Sequence, residues 1–271
     1  MNKKNILRGI IGLALSNCLY GYEFQKPKEV SIKYLHNYAN INGFVQIPKG
    51  GQFGSTTTRK PEFNELGIDN INYPKIEINM KWNNLFLYSG VNYNTFKGSS
   101  TLEYDLISHD RYLKKGSKIK TEHQYISYDL GFGYSKVFYE NITLSPFLQI
   151  TATQFNYQYD SKYLDENTIS SGRKFGLGSI HTGLKSTYKF NDKYKIDLNF
   201  KYAIPFDSVR KWGSLEILNT YNVYEKNNHK LNVLFGIGFE YFEYRDTQKD
   251  MQNFMKHKLE PIYKLGLEYS F

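Results

Sequence analysis

The chain has 271 residues, a formal net charge of +9 and an aromatic content of 17%, with 25 tyrosines against 2 tryptophans. The length fits one large domain or two small ones, and a single cysteine excludes a disulfide framework. The mean hydropathy of −0.57 is that of a soluble protein, but the tyrosine excess favours half-buried β-strands.

The N-terminal segment has the layout of a secretory signal peptide. Basic residues precede an apolar stretch at 9–15, which is too short to cross a bilayer. The predicted signal peptide is 1–21, and cleavage after Gly21 leaves residues 22–271 without cysteine. The alternatives are lipidation of Cys18 in "LSNC" and a retained anchor helix.

Export limits the partners of a basic chain. Three of the positive charges lie in the signal segment, so the mature chain is less basic than the total suggests. Nucleic acid is excluded as a partner because the protein leaves the cytoplasm, and an anionic lipid surface becomes the natural one.

Segments of alternating apolar and polar residues follow along the chain, and this period of two is typical of β-strands. In "YKIDLNFKYAI" at 194–204, for example, every second residue is apolar. The predicted strands span 30–47, 73–82, 85–97, 123–137, 142–159, 173–190, 194–206, 213–225, 231–245 and 261–271.

The connections between these strands alternate between long and short. The sequence therefore predicts an all-β, transmembrane, antiparallel up-and-down β-barrel of about ten strands, with both termini at the short-turn end. The alternative is a soluble periplasmic barrel or sandwich with the apolar faces inside. The long connections span 48–72, 98–122, 160–172, 207–212 and 246–260.

The last strand, "EPIYKLGLEYSF", has an aromatic residue or leucine at every second position from Tyr263 to Phe271. A strand within a bilayer must have its backbone groups paired, so the last strand is expected to pair with the first. This tail resembles the C-terminal signature of bacterial outer-membrane β-barrels. The resemblance implies a monomeric barrel in the outer membrane of a Gram-negative bacterium, recognised by the barrel-assembly machinery through Phe271.

If the apolar faces contact lipid, the inner faces are polar and carry charges of both signs. Such charges are expected to pair and to fill a barrel of this size, while a narrow conducting path is the alternative. The predicted interior residues are Glu77, Lys81, Asp129, Ser179, His181, Lys185, Lys195, Asp197, Lys201, Glu216, Glu240, Lys264 and Glu268.

Two long connections contain short helical patterns. In the first, Pro61 begins a predicted helical turn that Gly67 ends. In the last, Asp246 or Thr247 is predicted to cap a helix that continues to about Lys256. Such fragments at the mouth of a barrel are candidates for contact with the exterior.

The strand number, the signal peptide and the text "LNFKYAIPF" and "LGLEYSF" resemble the omptins, a family of ten-stranded outer-membrane endopeptidases. The resemblance implies an aspartate pair in the second long loop and an Asp-x-His in the fourth. The fourth loop, "FDSVRKW", has Asp207 but no histidine, so no base is evident and no catalytic residue is assigned. The second loop and its flank offer Glu103, Asp105, His109, Asp110 and His123.

Ser179 and His181 raise a second enzymatic possibility, lipid modification. They share the polar face of their strand, so His181 is expected to be an interior histidine, and His109 and His123 are expected to be ordinary loop and rim residues. No cofactor or metal is expected. The predicted function is non-enzymatic, through external loops or a narrow, porin-like solute path, with an omptin-like protease or lipid-modifying hydrolase as the alternative.

Basic residues near the predicted long-loop end lie at the height of lipopolysaccharide phosphates. They are expected either to contact those phosphates or to serve only solubility. They are Lys97, Arg173, Lys174, Arg210, Lys211 and Arg245.

Overall fold

The computed structural model describes residues 26–46, 61–108, 111–205, 209–245 and 254–271, and it is a closed antiparallel β-barrel. The predicted signal peptide, cleavage site and Cys18 lie outside the described residues. The barrel strands are β1 (Glu29–Gln46), β2 (Asn70–Trp82), β3 (Leu85–Thr101), β6 (Lys118–Tyr134) continued by β7 (Lys136–Tyr139), β8 (Ile142–Lys162), β9 (Ile169–Lys189), β10 (Tyr194–Ile204), β11 (Val209–Lys226), β12 (His229–Arg245) and β13 (Phe254–Ser270). Two further strands, β4 (Leu106–Ser108) and β5 (Arg111–Leu113), form a separate hairpin.

The barrel closes because β1 pairs with both β2 and β13. Val30 and Phe271 exchange two backbone hydrogen bonds at the seam. β6 and β7 form one barrel strand that is interrupted at Ser135, since both pair with β8. The prediction of an up-and-down barrel of about ten strands, with its termini at the short-turn end, is confirmed.

The short turns explain how neighbouring strands stay in register. Asn227 and Asn228 both have positive φ, 49° and 68°, between the paired residues Lys226 and His229. Two central residues at positive φ are typical of the tight hairpin turn whose twist matches that of the flanking strands, and asparagine tolerates this conformation.

In the lower part of the barrel, towards the short turns, the outward side chains are mainly apolar and the inward ones mainly polar, apart from a few buried apolar residues such as Leu35, Phe147, Leu218 and Leu234. On the outer face of β9, the apolar residues run from Ile180 to Phe190 and are exposed. Ten residues at about 3.3 Å each, tilted by about 40°, give a band of about 25 Å, which matches the hydrocarbon thickness that such barrels span. The predicted orientation of the apolar faces towards lipid is confirmed here.

Several strands extend further at the long-loop end than the sequence predicts. The second long connection shrinks to 102–117, because β3 ends at Thr101 and β6 begins at Lys118. The helix predicted to reach Lys256 is wrong where the structure describes it. Lys256 lies in β13 and pairs with Phe44 and Glu243, because pairing on both sides outweighs local helix propensity; residues 246–253 lie outside the described residues.

The turn predicted between Pro61 and Gly67 is present. The backbone N–H of Leu66 donates to the carbonyl oxygen of Glu62 at 3.2 Å, and Gly67 ends the turn at a φ of 75°. The turn directs Phe63 and Ile68 into the barrel, where both are buried. No helix among the described residues is long and apolar enough to cross a membrane.

Candidate functional site in the barrel interior

The lower interior contains a polar cavity of about 530 Å³. It extends upward from the short-turn rim, where the exposed side chains of Glu29, Lys81 and Lys189 line it, to the rings of Tyr125 and Trp212. All of the charged residues predicted for the interior line this cavity; Ser179 and His181 do not. The strand register places the inward-facing polar residues of neighbouring strands opposite one another, so their side chains meet in this cavity.

Ion pairs line the cavity wall, within β2, between the neighbouring strands β1 and β2, and between β11 and β13 across β12. Glu77 accepts from Lys33 at 3.2 Å and lies 3.0 Å from the Lys75 ammonium. Glu216 pairs with Lys264 at 2.6 Å. The salt-bridged interior predicted from the sequence is confirmed for this half of the barrel.

A chain of hydrogen bonds runs from Tyr88 on β3 through β8 to the carboxylate of Asp129 on β6. The Tyr88 hydroxyl donates to Gln149 at 2.7 Å, and the Gln149 amide donates to Thr151 at 2.7 Å. Thr151 in turn donates to a carboxylate oxygen of Asp129 at 2.8 Å. This chain satisfies polar groups that would otherwise be buried without partners.

The upper interior is mainly apolar, with a few buried polar side chains such as His123, His181 and His257, and the expectation of a polar lumen throughout is wrong there. Every one of the ten barrel strands contributes a buried hydrophobic residue, and we call this set the apolar plug. Phe242 is fully buried within it and contacts the rings of Phe155, Trp212 and His257. The plug comprises Ala39, Ile41, Val45, Phe63, Leu66, Ile68, Ile71, Tyr73, Phe96, Leu102, Leu106, Leu113, Ile119, Tyr125, Phe155, Tyr159, Leu177, Ala203, Val209, Trp212, Phe242, Tyr244, Met255, Leu259 and Ile262.

His123 is not a loop or rim residue, as the sequence suggested. It lies on β6, points inward and is buried among the rings of Phe63, Phe96 and Tyr157, with centroid distances of 5.7–6.2 Å. The prediction was wrong because β6 begins at Lys118, five residues before the predicted start, so His123 lies within the strand.

Ser179 and His181 form the one Ser–His hydrogen bond among the described interior residues, with Oγ and Nε2 2.8 Å apart. Both point inward, as predicted, and His181 is fully buried against Trp212. The His181 Nδ1 atom has no hydrogen-bond partner within the described chain. A hydrolytic triad needs an acid at that nitrogen and an open path to the serine, and this pair has neither in the described structure.

The acids of the second long loop do not form a facing pair in the described residues. Asp105 accepts hydrogen bonds from the Tyr112 hydroxyl at 2.6 Å and the Lys115 backbone N–H at 2.7 Å. These bonds hold the β4–β5 hairpin and lower the pKa of Asp105, and the same bond raises the pKa of Tyr112. Glu103 is exposed, while His109, Asp110 and Asp207 lie outside the described residues.

The basic rim residues differ in their surroundings. Lys97 pairs with Glu122 at 3.3 Å, and Lys174, Lys211 and Arg245 are exposed. The side chains of Arg173 and Arg210 lie outside the described part of the structure. No group of three or more His, Cys, Asp or Glu side chains in the described ranges is arranged to hold a metal ion.

The feature that sequence reasoning missed is the change of interior at mid-height. In β8, the outward-facing apolar residues end at Ala152, and from Phe155 onward the apolar residues face inward, as Phe147 alone does lower down. In "ITATQFNYQYD" the apolar residues move from one set of alternate positions to the other. This change is the signal from which the plug could have been predicted.

No family model matches the chain, and no curated protein matches it. Among solved structures, the outer membrane protease OmpT from Escherichia coli is similar in fold. The TM-score is 0.51 at 12% identity, over 93% of this chain and 99% of that chain. The transport unit of the autotransporter AIDA-I from Escherichia coli has a TM-score of 0.42 at 8% identity, covering 96% and 97% of the two chains. The outer membrane protein OprG from Pseudomonas aeruginosa has a TM-score of 0.39 at 11% identity, covering 91% and 97%.

Three observations converge on the nature of the molecule. The sheet closes without an open seam in the lower barrel, the outer face of that region is an apolar band, and the fold is that of a solved outer-membrane barrel. Only a closed barrel satisfies its backbone hydrogen bonds in lipid when it spans with strands. The chain is an outer-membrane β-barrel protein.

Proposed function

We propose that this protein is a closed, non-enzymatic barrel of the cell surface that acts through its long-loop end and does not conduct solutes. The observation that carries the proposal is the apolar plug, to which every barrel strand contributes. The polar cavity below it reaches the short-turn rim and ends at the level of Tyr125 and Trp212.

The energetics of the plug favour a closed barrel over the porin-like alternative. An ion that crosses this mainly apolar layer loses most of its hydration and meets few polar partners, such as His123 and His257, and this is costly. Fully buried side chains such as Phe63 and Phe242 also make many dispersion contacts that would be lost if the lumen opened.

The described residues also favour a non-enzymatic role. Asp105 is committed to the β4–β5 hairpin, and the Ser179–His181 pair is buried above the cavity. Catalytic groups must reach their substrate within hydrogen-bond distance, and these groups are held away from solvent or occupied by structural contacts.

We further propose that the barrel is a monomer without cofactor or nucleic-acid partner, surrounded by outer-membrane lipid. The exposed ammonium groups of Lys174 and Lys211 are suited to lipopolysaccharide phosphates above the apolar band. The Phe271 backbone completes the barrel seam, which suits a role of the terminal residue as the signal for the barrel-assembly machinery.

Planar-bilayer recording of the refolded protein tests the closed barrel. We expect no steady conductance from the wild type, and we expect the Phe155→Ala/Phe242→Ala double variant to show current because it removes two rings from the plug. Stable wild-type channels would contradict the proposal. A peptide-cleavage assay in lipopolysaccharide micelles, with Asp105→Ala as control, tests the enzymatic alternative: cleavage that the substitution abolishes would establish it.

A further inference from the structure

The upper half of β9 has a strand on only one side. β8 pairs with β9 along its whole length, up to Ser161 opposite Ile169, but β10 ends at Ile204 opposite Ile180. Apart from the pairing with β8, no backbone hydrogen bond joins residues 169–179 to another segment of the described chain. We call this unpaired side of residues 169–179 the free edge.

The direction of the backbone groups follows from bonds at the lower end of the strand. The Lys189 N–H donates to Asn141, on the β8 side, and the Phe190 N–H donates to Tyr194, on the β10 side. Alternate residues of a strand point their N–H and C=O groups to opposite neighbours, and the register with β8 continues without a bulge. The even-numbered residues therefore face the free edge, and all of them are exposed: Ser170, Gly172, Lys174, Gly176 and Gly178.

Two of the three glycines at this edge, Gly176 and Gly178, are not explained by the packing of the protein itself, whereas a Cβ atom at Gly172 would lie 2.9 Å from the Tyr157 carbonyl oxygen. A Cβ atom at Gly178 would meet no atom within 4 Å, and one at Gly176 would meet only the Thr153 carbonyl oxygen, at 3.6 Å. By contrast, a Cβ at Gly131 would clash with the Tyr88 ring, and one at Gly183 with the Phe147 ring. A strand glycine with open space beside it suits the close approach of another backbone.

The free edge lies outside the membrane. On the outer face of the paired strand β8, the apolar residues end at Ala152, which is opposite Gly178, and Gln154, Asn156 and Gln158 follow. Natural sheets usually blunt an exposed edge with proline, a bulge or several charges. Here the free edge carries neither proline nor bulge, and Lys174 is its only charged residue among the even-numbered positions.

A second copy of the chain does not fit this edge. Consider two barrels in one membrane that are related by a twofold axis along the membrane normal. Their β9 strands would point in the same direction, and the free edge of one would face the free edge of the other. Antiparallel pairing of identical edges needs opposite directions. The occupant must therefore be a chain that is free to choose its direction, as an extended external peptide is.

We propose that the free edge of β9 binds an extended acidic peptide segment from outside the cell by adding it as a further strand. Backbone hydrogen bonds to the even-numbered residues would supply affinity. Lys174 on the edge and Lys211, on β11 near the end of β10, favour carboxylates. This proposal rests on the surface role proposed above and identifies a partner for it. Peptide binding does not require a closed lumen, so the conductance test and the binding test below can fail independently of each other.

The test uses a fluorescein-labelled ten-residue peptide of alternating glutamate and valine and the refolded protein in zwitterionic detergent micelles. Fluorescence anisotropy should show saturable binding that is lost when every peptide nitrogen is methylated. Lys174→Glu should weaken binding about fivefold, whereas Lys120→Glu, on the outer face of β6, should not. Gly176→Pro should abolish binding while the barrel folds, because its N–H is unpaired in the barrel.

Amide hydrogen exchange locates the binding. The peptide should slow exchange at Gly172, Gly176 and Gly178 and leave Leu177 and Ser179 unchanged, since these two already face β8. The proposal is overturned if the glycine amides are equally protected without peptide, because a segment of this chain would then cover the edge. It is also overturned if the methylated peptide binds as well as the unmethylated one.

Discussion

Replacing Glu77 by glutamine should destabilise the barrel more than any surface ion-pair change. Glu77 lies between the ammonium groups of Lys33 and Lys75, at 3.2 and 3.0 Å, and accepts a further hydrogen bond from Asn79 at 3.1 Å. Glutamine keeps the shape of the side chain and removes the charge, so two cations would face each other across a neutral amide.

The magnitude follows from burial. The side chains of Glu77, Lys33 and Lys75 are 13%, 12% and 25% exposed. Removing one partner of a buried ion pair costs about 3–5 kcal/mol, because the remaining charge keeps its desolvation penalty. This corresponds to a loss of about a hundredfold to several thousandfold in the unfolding equilibrium constant.

Urea unfolding of the protein in phosphocholine vesicles, followed by tryptophan fluorescence, measures this loss. The matched control is Glu225→Gln at the exposed pair Glu225–Lys230, 2.9 Å apart, which should cost at most about 1 kcal/mol. Adding Lys33→Met to Glu77→Gln should recover part of the loss, since one unpaired ammonium is removed. If Glu77→Gln costs no more than the control, water in the cavity screens these charges and the network does not hold the barrel together.

Two further predictions concern the plug and the second loop. Phe242→Ala should lower the free energy of unfolding by about 3–5 kcal/mol, because it leaves a void among packed rings; Tyr241→Ala, which faces outward, should cost clearly less, and equal losses in urea titrations would contradict the assigned faces. Hydrogen bonds lower the pKa of Asp105 in the folded hairpin. They therefore stabilise the hairpin at pH values above the ordinary carboxyl pKa of about 4, and this stabilisation is lost as the pH falls through the lower pKa of the folded state. Protection of the Lys115 amide should therefore decrease on acidification, and Asp105→Asn should remove this pH dependence; protection that stays constant to about pH 2 would refute it.

The lower barrel was predictable because one rule acts on it. In the bilayer, each strand must present apolar residues to lipid, so the period of two in "YKIDLNFKYAI" assigns Leu198 outward and Asp197 inward. The number of strands, the direction of the termini and the pairing of the last strand with the first follow from the alternating connections. The partner of each charge does not, because it depends on the register between strands, which a single strand pattern leaves undefined.

The long-loop end was less predictable because local and long-range preferences compete there. The segment before Pro261 has helical character, yet Met255 and Leu259 face inward in β13 and Phe254 contacts Phe44 at a centroid distance of 5.1 Å. Pairing with β1 and β12 supplies a partner on each side, which a helix at the barrel mouth would not have. His123 and the free edge of β9 were missed for the same reason, since both depend on strands continuing beyond the membrane.

The two interiors follow from the two solvents that the outer wall meets. Within the bilayer the wall faces hydrocarbon, so the hydrophobic effect gives no reason to bury apolar side chains inside, and the lumen can hold paired charges. Above the bilayer the same strands face water, and burial inside becomes the favourable place for apolar side chains. In β8 the reversal falls between Ala152 and Phe155, and in β6 between Ile126 and Tyr125, which lie at the same height because Tyr125 pairs with Phe155. The reversal therefore marks the outer edge of the membrane on these two strands. Because Ala152 pairs with Gly178, it places the free edge of β9 on the aqueous side, beginning at the upper limit of the apolar band.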